Sequence, residues 1–342
     1  QALRAGMGDL NASHFTNYPP INQLCFTIAA LFAGKSILGS VFVMRLLIIA
    51  ADFGTLHFGK ALLEKLNIPI YNIFWYILNP FIIIELTGNL HFEGVMIFFL
   101  VWSLYLLYIG KWQFAALVLA LSISVKLIPL IFLPLFFQWF MKRNDKDKET
   151  STVLNFTRLI VFYAIIIMTT LLLFVPFYSS EFIHNYSKTV ALWFQNFEFN
   201  GSIYYIAREI GFLFRGYNEI AIIGTVTPIL VILFVLIITF FRRNRTPIAL
   251  ITAMLLVLSF YYFTTTTVHP WYLATLLILS VFTKYKFPLV WSFVIILSYL
   301  AYVNLNKADK SENLWLITLE YAVVYGVFIW EVFIKKAPKL EA

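Results

Sequence analysis

Long apolar runs broken by short polar intervals dominate the chain. Residues 161–176 (VFYAIIIMTTLLLFVP) and 220–241 (IAIIGTVTPILVILFVLIITFF) are apolar almost throughout, as expected of helices surrounded by lipid or protein on every side. Each suits the roughly 20 residues that a helix needs to cross the hydrocarbon core. With no water at that depth, backbone N–H and C=O groups must bond within their own segment, so the spans are helical. The pattern predicts an all-α polytopic membrane protein with spans at about 36–62, 70–88, 92–110, 113–126, 127–141, 156–176, 219–241, 247–264, 271–284, 288–304 and 315–334, roughly eleven in all. The pair flanking Lys126 is short, the mark of broken or partly re-entrant helices. Residues 20–33 open on Pro19 and Pro20 and are too short for a comfortable span, which predicts an interfacial helix.

Composition sharpens this picture. The chain is 61% hydrophobic and 12% charged, against about 45–50% and about 25% in a soluble domain, and its mean hydropathy is +0.84. A soluble protein is excluded. The net charge of +8 is no nucleic-acid signal, because the basic residues fall in short loops between spans, where they report orientation. One set of loops carries Lys60 and Lys65, Lys111, Lys142 with Arg143, Lys146 and Lys148, then Arg242, Arg243 and Arg245, Lys284 and Lys286, and Lys335, Lys336 and Lys339. These are predicted to be cytoplasmic. The sole cysteine, Cys25, excludes an intrachain disulfide and reads as a packing residue.

The domain organisation follows: an outward first-loop remnant with an interfacial helix (1–35), an N-terminal transmembrane core (36–141), a cytoplasmic loop (142–155), a helix (156–176), an outward aromatic loop that is a candidate lid (177–218), and C-terminal transmembrane helices (219–342). The unusual polar residues gather on the outward side. In NPFIIIELTGNLHFEG (79–94), Glu85 lies about a turn inside a helix end, while Asn89, His91 and Glu93 present donors and acceptors between Gly88 and Gly94. That turn reads as a ligand site or as a plain polar loop. Arg45 and Asp52 share one face of the first span and read as a structural pair, joined through a neighbour or bound to another helix.

Lys126 sits in ALSISVKLIPLIFLPL with no carboxylate nearby in sequence. It either snorkels to the interface or binds an anion such as a lipid phosphate, and Pro129 and Pro134 would break the helix beside it. In TTTTVHPWY (264–272), His269, Trp271 and Tyr272 form either a ligand platform or an interfacial aromatic belt. Three Asn-X-Ser matches, at Asn11, Asn185 and Asn200, are short enough to arise by chance.

Taken in order, NYPP (17–20), RLLIIAADFGTLHF (45–58), NPFIIIELTGNLHFEG, ALSISVKLIPLIFLP and VHPWYL resemble the multi-spanning GT-C glycosyltransferases. The likeness is nearest to polyprenyl-phosphate-mannose-dependent mannosyltransferases, including bacterial members and the catalytic subunit of GPI mannosyltransferase I. The resemblance implies inverting transfer of a hexose from a polyprenyl-phosphate donor to a lipid, glycan or protein acceptor at the periplasmic or lumenal face, with the chain in a bacterial inner membrane. Carried over by position, Tyr18 belongs to the first-loop motif, Asn89 and Glu93 to the polar turn, Lys126 to the basic position and His269 to the late outward motif, with Trp271 and Tyr272 beside it. The family's catalytic Asp precedes the stretch matched here and is expected upstream of Gln1, leaving Asp9 and Glu93 as the fallback bases in this sequence.

No cofactor is specified. Few outward acids and no DxD pattern disfavour a tightly held divalent cation, Mg or Mn, unless such a motif lies upstream. Two other readings remain: a transporter or flippase for lipid-linked sugars, which would call for midplane charges and internal repeats, and a non-catalytic subunit that keeps the fold.

Overall fold

The computed structural model describes residues 12–142, 152–195, 197–303 and 312–335, together with Gly6. Asp9, most of the charged 142–149 run and residues 305–311 lie outside the described residues. Among those described, the chain is helical, and its one extended feature is an isolated bridge between Phe199 and Thr267.

The elements in order are α1 (Pro20–Ala33), α2 (Ile37–Lys65), α3 (Ile70–Ile77), α4 (Pro80–Gly88), α5 (Glu93–Tyr108), α6 (Trp112–Ile123), α7 (Ile128–Met141), α8 (Thr152–Phe174), α9 (Ser180–Gln195), α10 (Ile203–Arg215), α11 (Ile220–Phe241), α12 (Pro247–Thr264), α13 (Pro270–Val281), α14 (Phe287–Ala301) and α15 (Leu314–Ile334). Local chemistry sets many of the starts. Pro20, Pro80, Pro247 and Pro270 stand at first helical positions, where a missing N–H costs nothing. The side chains of Ser36, Asn79, Thr246 and Asn313 accept from Gly39, Phe81, Ala249 and Trp315 N–H, satisfying otherwise orphaned donors.

Among the described residues α2, α8, α11, α12 and α15 are long and apolar enough to cross a membrane, and a sixth crossing forms if α3 and α4, bent by 46°, count as one. The eleven full-length spans expected from the sequence are therefore not what the helix lengths give. The remaining apolar helices, α1, α5, α6, α7, α13 and α14, have 10–17 residues. Proline accounts for part of the difference. Pro129 and Pro134 cannot donate to a helical ladder, and Ile128–Leu135 takes 3-10 geometry.

The core surrounds α12 and α13. In α12 67% of the span is buried, against 11% in α2, so α2 lies at the lipid-facing rim. Residues 273–281 of α13 are all buried. Helices close on one another through small residues and hydroxyls: a Cβ at Gly54 would lie 2.3 Å from the Phe98 ring, fixing how near α2 approaches α5. Ser103 and Ser122 donate to Ala115 O and Met96 O at 2.8 and 2.7 Å, clamping α5 to α6.

Residues 180–215 form two helices. On α10, Ile206, Ile210, Leu213 and Phe214 are all exposed and recur at the spacing of one helical face, the form of an interfacial amphipathic helix. Arg45 and Asp52 are joined through a neighbour on another helix, as their shared face suggested. The Arg45 guanidinium donates to Thr87 O (3.0 Å) and Gly88 O (3.1 Å), while Thr87 Oγ1 donates to Asp52 (3.4 Å), so both residues grip the end of α4.

Candidate active site

The outward loops named from charge alternation meet at one end of the molecule. Tyr18 of the first loop touches the Lys126 turn, Lys126 pairs with Glu93, His91 stacks on Trp271, Phe199 bridges Thr267, and Asn200 is bound by Glu312.

Lys126 is the hub. It follows α6 in the break before α7, and the ring-locked Ile128–Leu135 segment keeps the helix from continuing through it. Its ammonium donates to the Glu93 carboxylate; the two side chains are 14% and 3% exposed, so each removes an otherwise costly buried charge. Glu93 is the first residue of α5, where the positive end of the helix dipole also favours a carboxylate. The Tyr18 and Tyr272 rings lie 5.4 and 5.9 Å from Lys126 Nζ, within cation–π range. Tyr18 is placed by the start of α1, whose Ile21 N–H donates to Ser124 O (2.8 Å) beside the lysine.

A column of rings stands next to this pair. His91 lies on Trp271 (3.8 Å between centroids, 18° between planes), Trp271 on His269 (4.5 Å, 8°), and His269 on Phe199 (5.2 Å, 28°). The Trp271 indole is thus stacked between two imidazoles. Burial, helped by the nearby Lys126 charge, lowers both His91 and His269 to about 3. Both rings are therefore neutral near pH 7.

Two polar atoms in the site are buried without a protein partner: Glu93 Oε2 and His269 Nδ1. Glu93 Oε2 can accept from a bound hydroxyl, and His269 Nδ1 can bond a hydroxyl in either direction according to its tautomer. A groove of about 220 Å³ lies on the other side of Tyr18, lined by Phe15, Tyr18, Phe174, Phe177, Phe182 and Tyr186 among others. Tyr18 therefore borders both the groove and the lysine.

Of the residues picked out in sequence, Tyr18, Glu93, Lys126, His269, Trp271 and Tyr272 converge. Asn89 stands apart, donating to Glu85 (3.4 Å), which also takes the Tyr299 hydroxyl (2.7 Å). Phe199 was not legible as a site residue, since nothing local in residues 197–202 says that this loop returns to His269. Among the described residues, no three His, Cys, Asp or Glu side chains gather so as to hold a metal ion.

Fold and site together define a helical membrane protein with a cation-centred polar site at one end. Residues 3–143 match the family model described as alpha-(1->6)-mannopyranosyltransferase, N-terminal domain, which supports a membrane glycosyltransferase of the mannosyltransferase kind. The matched stretch includes Tyr18, Asn89, Glu93 and Lys126 but ends before His269. No curated protein matches the chain.

Proposed function

We propose that the protein is an inverting GT-C mannosyltransferase that takes its sugar from a polyprenyl-phosphate donor at the periplasmic face of a bacterial inner membrane. The observation that carries this reading is the Lys126–Glu93 pair, a held cation whose neighbouring Tyr18 ring also lines an aromatic groove. The groove suits an isoprenoid chain, and Tyr18 joins it to the ammonium that would meet the donor phosphate. The short apolar helices complete the bundle of roughly eleven segments that the sequence predicts.

In the reaction, an acceptor hydroxyl oxygen bonds to the anomeric carbon as the carbon–oxygen bond to phosphate breaks. The hydroxyl proton passes to a carboxylate, and polyprenyl phosphate leaves with the bonding electrons. Lys126 faces that growing charge in a site largely closed to water, where a fixed cation acts most strongly. Glu93 holds Lys126 with one oxygen and offers the unpartnered Oε2 to an acceptor hydroxyl. His269, neutral, offers Nδ1 to a sugar hydroxyl. The acceptor is proposed to be a mannoside, extended through an α-1,6 bond as the matched family's description states. If inversion yields an α product, the donor must be β-linked.

The test is transfer of radiolabelled mannose from a short-chain polyprenyl-phosphate donor to a mannoside by the protein in liposomes. Labelled product in the wild type, lost with Lys126→Ala, supports the reading. Donor that crosses the bilayer unchanged would instead make the protein a flippase.

A further inference from the structure

The 197–202 loop reaches the site from the other half of the chain, and it is held with unusual thoroughness. Glu320, on α15, is fully buried, and its Oε1 accepts from both Asn200 Nδ2 (3.1 Å) and Trp291 Nε1 (2.9 Å). Tyr321, the next residue, donates its hydroxyl to Asn200 O at 2.7 Å. Asn200 N–H goes to Glu312, which also takes the Tyr205 hydroxyl. Asn200 thus has its amide N–H, its carbonyl and its side-chain Nδ2 bound, while its Oδ1, like Glu320 Oε2, is buried without a partner among the described residues; Asn200 is itself fully buried with φ +49°, a left-handed conformation that asparagine tolerates better than most residues. This is also the reason that its Asn-Gly-Ser sequence offers no accessible glycan acceptor in the folded chain.

The neighbouring residue carries the consequence. Phe199 N–H donates to Thr266 O (3.1 Å) and Val268 N–H donates to Phe199 O (2.8 Å), while Thr267 Oγ1 donates to Phe197 O (2.9 Å). These bonds set Phe199 against the His269 ring, on the far end of the column from His91. The chain of contact runs from Glu320 to Asn200, to Phe199, to His269.

A carboxylate is an expensive way to hold a loop inside a membrane bundle. Glu320 has no basic partner among its hydrogen bonds, since Arg208 pairs with Glu198 (2.9 Å) and Glu209 (3.0 Å). A burial cost of that kind persists where it fixes a specific geometry. We infer that Glu320 is a positioning residue: through Asn200 and Phe199 it fixes the His269 imidazole so that Nδ1 faces the transferred sugar. This rests on the mannosyltransferase reading for the identity of the sugar, but the latch itself does not.

Two measurements on the full chain in lipid nanodiscs test it. The first needs no activity: with isotope-labelled histidine, the His269 ring resonance, assigned by its loss in His269→Ala, shifts in Glu320→Ala and in Asn200→Ala and returns towards its wild-type position in Glu320→Gln, whose amide oxygen can accept the same two bonds. The second is a double-mutant cycle on transfer kinetics. Glu320→Ala lowers kcat by roughly tenfold to a hundredfold, the range for a displaced catalytic contact, and in a His269→Ala background it lowers kcat little further, because the two act through one group. An unmoved His269 resonance in a folded Glu320→Ala or Asn200→Ala protein overturns the inference, as do losses that simply multiply in the double variant. If the wild type transfers no sugar at all, the mannosyltransferase reading fails while the resonance shift still decides the latch.

Discussion

Glu93 and Lys126, 33 residues apart in sequence, form a part-buried ion pair at the point where the outward loops converge. The pair joins the start of α5 to the break after α6, and it turns the two ambiguous polar residues of the N-terminal half into one feature.

Removing either partner leaves the other charge poorly solvated, at a cost of about 3–5 kcal/mol for a fully buried pair. Glu93→Ala and Lys126→Ala are each expected to lower the thermal midpoint. The double variant, having no orphaned charge, should be more stable than the two single effects added together. Thermal unfolding of all four proteins in one detergent measures this, and additive losses would mean that the pair is not coupled.

The two site imidazoles predict a direction of pH dependence. Each ordinarily titrates near 6.5 and is lowered to about 3, first by burial and then by the Lys126 charge. The unfolded chain therefore takes up protons on these residues before the folded chain does. Their contribution to stability is present above about 6.5 and declines as pH falls from there towards 3. By about pH 5 the loss is about 1–2 kcal/mol for each. His91→Phe and His269→Phe should each flatten the fall of the thermal midpoint between neutral pH and about pH 5; an unchanged slope contradicts neutral imidazoles.

Close packing of α2 on α5 depends on Gly54. A Cβ there would lie 2.3 Å from the Phe98 ring, and Phe98 is packed among Phe58, Phe99 and Trp102. Gly54→Val should cost about 1–3 kcal/mol, the usual penalty of overpacking, read as a lower thermal midpoint. Wild-type stability in that variant would show that the interface gives way freely.

At the opposite end, Glu331 Oε2 accepts from Lys286 N–H (2.7 Å) and Phe287 N–H (2.9 Å), capping α14 from α15. Glu331→Ala leaves two donors without their acceptor and should destabilise by about 1–3 kcal/mol. Because it lies away from Lys126, donor KM should be unchanged in the folded fraction. A changed KM would mean that the two ends communicate.

The helical membrane class was readable from the apolar runs, because that signal is local and summed over many residues. Tyr18, Glu93, Lys126 and His269 stood out for a related reason: each is a polar or amphipathic group where its neighbours are apolar or prolines break the helix. Their partnerships did not stand out. Lys126 seemed to lack a carboxylate because its partner is on another helix. The stacking of Trp271 was not readable because one of its two imidazoles comes from His91, far away in sequence. The count of eleven spans is not reached by helix length alone among the described residues, in part because Pro129 and Pro134 turn Ile128–Leu135 to 3-10 geometry. Phe199 and Glu320 were invisible as a pair, since only tertiary structure brings the 197–202 loop onto α15.

The most direct measurement of the central claim is mannose transfer by wild-type and Lys126→Ala proteins, matched for folded amount, in liposomes containing the polyprenyl-phosphate donor and a mannoside acceptor. The account predicts labelled α-mannoside and free polyprenyl phosphate with the wild type, and a loss of at least about a hundredfold in kcat with Lys126→Ala, the scale of one removed charge-stabilising contact. Equal transfer by the two proteins would contradict it.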